Sequence, residues 1–218
     1  MITSYNPKSC GDILIVTLAP NAEKQNVSTS GNVTRISDAN TNQTTGFNIS
    51  KIGTQLGIIE KKGQLFLDEK QIAIVNDVIH SAGFNEKLSV SPSKLVVGRV
   101  ESMTGHPDSD HLHVTQTNVG DSQTLQIVSG SPNMRAGIKV VVAQPGTMMP
   151  SGALIWDGAL RGVSSSGMIV SGRELHLPEA PEKPGALVLP DNFGEVGDVF
   201  DFTKAATLYT EKLVDINY

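Results

Sequence analysis

Between Leu125 and Arg173 the chain reads LQIVSGSPNMRAGIKVVVAQPGTMMPSGALIWDGALRGVSSSGMIVSGR. Apolar runs alternate there with turns containing glycine or proline, at short and regular intervals. That spacing predicts a small all-β barrel. Ile138–Ala143 is nearly all apolar, as expected of a strand covered on both sides. Pro145-Gly146 and Pro150-Ser151-Gly152 are turn signals, and Ala153–Trp156 and Gly167–Val170 supply later strands. Ala186–Leu189 returns near the end as an extension of the barrel. Upstream, Leu95–Gly120 adds two strands around the turn Gly105-His106-Pro107-Asp108. Leu112 and Val114 alternate with His111, His113 and Thr115, which predicts that the two apolar residues face inward.

The first part of the chain reads differently. Asp12–Leu18 is rich in β-branched residues and predicts a strand. Asn26–Asn48 is dense in Asn, Thr, Ser and Gly and predicts polar loops between short strands. It holds four Asn-x-Ser/Thr triplets, beginning at Asn26, Asn32, Asn42 and Asn48, which read as chance in such a composition. Leu65–Leu67 is a further short strand. One helix follows: Asp68 is its N-cap, Gln71 completes a capping box, and Ile72, Val75, Ile79 and Ala82 share one face before Gly83 stops it. That stripe reads as core and His80 as a surface or boundary residue. Asn85–Ser93 is the connector. The expected organisation is a small α+β domain over residues 1–93, a barrel over 94–201 and a mildly amphipathic tail over 202–218, either a docked helix or a loose extension.

Composition bounds the function. A chain of 218 residues suits two domains, and 39% hydrophobic with 18% charged residues is ordinary for a soluble protein. Aromatics make up 5%, which argues against a broad base-stacking sheet. The single cysteine, Cys10, forms no internal disulfide. There is no long apolar run and no signal-peptide pattern at the start, so a cytoplasmic protein with no membrane partner is expected. Residues 94–201 hold seven basic and twelve acidic side chains and so carry the whole formal charge of −5. Binding to nucleic acid rests largely on phosphate neutralisation, so any such affinity is expected to be modest and sensitive to salt.

Several motifs carry a resemblance. VVGRV (Val96–Val100), HPDSDHLHV (His106–Val114), LQIVSGSPNMRAGIKV (Leu125–Val140), LRGVSSSGMIVS (Leu160–Ser171) and GALVLP (Gly185–Pro190) resemble, in order, the tRNA-binding domain of bacterial phenylalanyl-tRNA synthetase β chains, of the CsaA export factor and of EMAP-like proteins. YNPKSCGDILIV (Tyr5–Val16) and TTGFNISKIG (Thr44–Gly53) resemble the N-terminal domain of YtpR-type proteins, which join a domain of unassigned role to such a module. The resemblance implies a mainly β protein: an OB-fold barrel at the C-terminal end, preceded by a small α+β domain. It implies a non-catalytic protein that binds tRNA by structure and backbone, without a cofactor. A chaperone-like or adaptor protein that binds a protein partner is the alternative on the same fold. Stand-alone relatives dimerise, so a homodimer and a monomer both stay open.

The same resemblance points to the residues that would meet RNA: Asn133, Arg135, Lys139, Arg161, Ser166, Met168 and Arg173. Asn133 either presents its amide to a base or phosphate or holds its own turn. Arg135 and Lys139 either line one rim or are solvated surface. Met168 offers soft apolar surface to an unstacked base or belongs to the core. Arg161 and Arg173 are the stronger electrostatic candidates, since a guanidinium grips phosphate with two parallel bonds or lies flat on a base. Ser129 stands where relatives usually have Cys. Ser166 stands where they often have Glu or Gln. His111 stands where many have Lys, which replaces a permanent cation. His106, Asp108, Asp110, His111 and His113 are metal-ligand types, but His106-Pro107 and Asp110 belong to the family pattern without metal, and no metal is expected. No G-x-S-x-G, P-loop or H-E-x-x-H is present, and the chain is not expected to be an enzyme.

Overall fold

The computed structural model describes residues 1–217 and divides the chain into two compact units, Met1–Pro92 and the remainder from Ser93. No helix among the described residues is long and apolar enough to cross a membrane.

The first unit is an antiparallel sheet with one long helix. Its elements are β1 (Ile2–Tyr5), α1 (Pro7–Cys10), β2 (Ile13–Thr17), β3 (Gln25–Ser30), β4 (Val33–Asp38), β5 (Thr44–Ser50), α2 (Gly53–Leu56), β6 (Gly63–Leu65) and α3 (Glu69–Ser81). The strands run in the order β3-β4-β5-β2-β1-β6. In the polar stretch expected to hold loops between short strands, strands predominate: β3 and β4 pair from Gln25↔Asp38 to Ser30↔Val33 around a tight turn at Gly31-Asn32. Threonines and serines suit a ladder open to water.

Helix α3 follows its sequence signals closely. The Asp68 carboxylate accepts from the Gln71 N–H (2.8 Å), and the Gln71 side chain accepts from the Asp68 N–H (3.1 Å). Ile72, Val75 and Ile79 are buried in one cluster with Leu14, Val16, Phe47 and Ile49 of the sheet. Each such side chain contributes about 2 kcal/mol. The two N-terminal motifs meet beneath α2: Asp12 accepts from the Tyr5 hydroxyl (3.0 Å) and from the Gly53 N–H (2.8 Å). A Cβ at Gly53 would stand 2.4 Å from the Tyr5 hydroxyl, so only glycine fits there.

An ion pair closes the far end of this unit. Arg35 Nε donates to Glu86 Oε1 at 2.6 Å, and the Thr44 hydroxyl donates to the same oxygen. Burial by itself raises the Glu86 carboxyl, but the bonds from Thr44 and Arg35 outweigh it, and the group titrates below its ordinary value. A carboxyl depressed in the folded state stabilises above its unfolded pKa, about 4.3, and loses that contribution as pH falls through the folded value. The first unit is therefore expected to lose stability as acid takes the carboxyl through that window. Glu86→Gln should flatten the loss, as thermal melts at a series of acidic pH values would show.

The second unit contains β7 (Leu95–His106), β8 (Ser109–Asn118), β9 (Thr124–Ser129), β10 (Lys139–Ala143), β11 (Thr147–Met148), β12 (Leu154–Ile155), β13 (Asp157–Leu160), β14 (Val163–Ser166), β15 (Met168–Ile169), β16 (Val188–Leu189) and the single turn α4 (Phe202–Ala205). The main ladder is β15-β10-β7-β8-β9, with β16 on the other half of β10's edge. The architecture is OB-like, but the expected barrel is corrected in one respect: the ladder does not close. Side chains bridge the gap. Gln126 Nε2 of β9 donates to the Ser164 carbonyl (2.8 Å), and the Val128 N–H donates to the Ser165 hydroxyl (3.0 Å).

The inward face of β8 is also corrected. Thr115 and Thr117 are fully buried, while Leu112 and Val114 are only half-buried. The Thr115 hydroxyl donates to the Ile127 carbonyl (2.9 Å) and lies 3.0 Å from that of Thr117. With its hydroxyl satisfied, a threonine fills the space of a valine at little cost. The tail is docked rather than loose: Asp201 caps α4, and Ala205 and Leu208 are buried with Leu95, Val97 and Phe200.

Candidate nucleic-acid interface

The LRGVSSSGM motif folds as a β-hairpin that leads into the short strand β15. Strands β13 and β14 pair from Asp157↔Ser166 to Leu160↔Val163, and Arg161-Gly162 forms the two-residue turn. Both turn residues have positive φ (46° and 82°), as a type I′ turn requires. Gly167 then lets the chain pass into β15. Its φ is +104°, and a Cβ there would lie 2.6 Å from the Ala143 carbonyl of β10.

Two bonds join the tip of this hairpin to the β7–β8 turn, and a third orders the turn itself. His106 is buried, its Nδ1 accepts from the Asp108 N–H (3.0 Å), and its Nε2 lies 3.0 Å from the Leu160 carbonyl. An Nδ1 that accepts places the ring proton on Nε2, which donates to that carbonyl. Arg161 Nη1 donates to the Asp108 carbonyl (2.9 Å), which leaves an exposed guanidinium fixed at the tip. His106, grouped by sequence with metal-ligand residue types, thus serves the backbone with both nitrogens.

Beside the hairpin lies a cleft of about 470 Å³. The end of β9 with Ser129–Ser131 forms one wall, the β12–β13 segment with Trp156 the second, and Met168, Arg173 and Gly185 complete it. Met168 is half-buried; it packs against the core cluster and also lines the cleft. Arg173 is exposed in a turn locked by Ser171 and Glu174. The Glu174 carboxylate accepts from the Ser171 N–H (2.8 Å) and hydroxyl (2.7 Å), and the Ser171 hydroxyl accepts from the Glu174 N–H (3.2 Å). Ser166 is half-buried at the base of the hairpin opposite Asp157. Arg135 is exposed on the loop that leaves the lip at Ser131, and its Nη1 reaches the Asn133 carbonyl at 3.4 Å.

Two of the expected contact residues are engaged inside the protein. Asn133 is buried. Its amide nitrogen donates to the Ala186 carbonyl and its amide oxygen accepts from the Ala186 N–H, both at 2.9 Å. It holds a neighbouring segment in place rather than its own turn. Lys139 is 4% exposed, and its ammonium donates to the carbonyls of Asp191 and Gly194, both at 2.6 Å. A lysine on a buried strand reaches the backbone of a loop when no water is available to it. Trp156, which the sequence did not mark as a candidate site residue, also lines the cleft. It is the only tryptophan in the chain and sits beside a glycine-rich turn, but the low aromatic content directed attention elsewhere.

Comparison with known proteins agrees with this architecture. The family described as "Putative tRNA binding domain" matches residues 95–213, and the "Domain of unknown function (DUF4479)" matches residues 20–91. The "Putative tRNA-binding protein YtpR" of Bacillus subtilis (strain 168) is 45% identical over 200 residues, covering 91% of this chain and 98% of its own. The phenylalanine–tRNA ligase β subunit of Lactiplantibacillus plantarum is 43% identical over 113 residues, which are 50% of this chain and 14% of that subunit. The equivalent subunit of Nitratidesulfovibrio vulgaris is 48% identical over 99 residues, 45% of this chain and 12% of its own. The chain thus spans only a small part of the ligase subunits but nearly the whole of the Bacillus protein. It belongs to the YtpR family, with a tRNA-binding domain of the phenylalanine–tRNA ligase β-subunit type following the DUF4479 domain.

Proposed function

We propose that the protein is a non-catalytic tRNA-binding protein that grips folded tRNA through the second unit, mainly by its backbone. The observation that carries this reading is a cleft lined by the exposed Arg173, with exposed Arg161 next in the chain to the lining residue Leu160 and exposed Arg135 on the loop that follows the lining residue Ser131. Guanidinium groups on rigid turns suit phosphates at fixed spacing better than flexible lysines do. Met168 adds apolar surface to the cleft, and Ser166 stands at the base of the hairpin. Asn133 and Lys139 support the face from within. The acidic remainder of the unit keeps the affinity moderate and dependent on salt.

The test is a titration of labelled tRNA against the native chain and the variant Arg135→Ala/Arg161→Ala/Arg173→Ala at two salt concentrations, with a length-matched unstructured RNA as control. Up to about 1 kcal/mol for each exposed pair gives an expected loss of up to about 100-fold for the three together. The slope of log affinity against log salt should fall by about 1 for each arginine that meets a phosphate. Unchanged affinity and slope would sink this reading and turn attention to a protein partner.

A further inference from the structure

We infer that the cleft beside the hairpin is a subsite for a single unpaired nucleobase, stacked on Trp156, with the phosphates of its strand held outside by the arginines at the mouth. The inference rests on the reading above and adds a base-binding element to a backbone-binding face.

The argument starts from the lining. Trp156 is half-buried in the wall, so its ring both packs on the protein and presents surface to the cleft. Met168 adds a polarisable apolar surface beside it. Ser129, Gly130 and Ser131 supply hydroxyl and backbone groups along the opposite lip, the kind that read the edges of a base. Charge sorts the ligand. The two ionised residues in the lining, Arg173 and Glu174, are of opposite sign, and the Glu174 carboxylate is tied to Ser171. The interior is therefore close to neutral, which favours a base over a phosphate. The cations Arg161 and Arg135 lie on the segments that border it, where a phosphate chain would pass. At about 470 Å³ the space falls at the small end of ligand sites and has no room for a duplex.

Because Trp156 is the chain's only tryptophan, its emission reports on the cleft alone. The full chain is titrated with tRNA, reading anisotropy of the labelled RNA and Trp156 emission together. The emission should change along the binding curve. Trp156→Ala should weaken tRNA binding on the order of 10-fold, as loss of one stacked base does, and Trp156→Phe should restore most of it. Melting curves confirm that both variants are folded. Binding without any change in emission, or a folded Trp156→Ala variant that binds like the native chain, overturns the subsite and leaves the backbone-binding face standing. If tRNA fails to bind even at low salt, the functional reading fails, and mononucleotides judge the cleft separately. Saturable quenching by nucleoside monophosphates, but not by ribose 5-phosphate, supports the subsite. Absence of quenching, or equal quenching by ribose 5-phosphate, overturns it.

Discussion

Replacing Asn133 with alanine is expected to destabilise the second unit by about 3 kcal/mol, because it leaves the buried N–H and carbonyl of Ala186 unpaired at once. In a thermal melt this corresponds to a fall of roughly 10 °C in the transition of that unit. The effect reaches the candidate interface by a short path. Ala186 follows Gly185 at the edge of the cleft, and Asn133 stands two residues from both Ser131 and Arg135. The amide therefore holds two lips of the cleft at a fixed separation. A melt that leaves the second transition in place would show that water replaces the amide, and that Asn133 is not the clamp described.

Replacing Lys139 with methionine carries the second large effect. The ammonium bonds two carbonyls of the 191–194 segment, and methionine matches its length without a donor. A loss of about 3 kcal/mol in stability is expected, since a charged donor to two acceptors is being removed. At temperatures where the variant is folded, its tRNA affinity and salt slope should match those of the native chain. A variant of native stability but weakened tRNA binding would restore Lys139 to the contact surface and refute its internal role. Melts and RNA titrations on the same sample separate the two outcomes.

The sequence was most legible where one physical rule acted alone. Helix α3 has a cap, a capping-box glutamine and an apolar stripe at helical spacing, and all of them stand where they were expected. Strand β10 is apolar from Val140 to Ala143 and buried throughout. Reading failed where two rules competed. Thr115 and Thr117 look polar, but a satisfied hydroxyl lets them fill the core in place of Leu112 and Val114. Asn133 and Lys139 look like surface groups within a motif, and only the fold brings Ala186, Asp191 and Gly194 to them across some fifty residues of chain. Arg173 was singled out for its charge, but its place in the lining of a cleft depends on tertiary structure. Trp156 gave no periodic or motif signal at all.

The turn at the hairpin tip adds a consequence of its own. A type I′ turn is cheapest with asparagine or glycine at its first central position, because an ordinary side chain there crowds the backbone. Arg161 occupies that position with φ of 46°, and the conformation costs about 1 kcal/mol. The bond from its Nη1 to the Asp108 carbonyl offsets part of that cost, so the residue that strains the turn is also the one that ties the hairpin tip to the β7–β8 turn. Arg161→Gly should therefore ease the backbone while freeing the tip to swing.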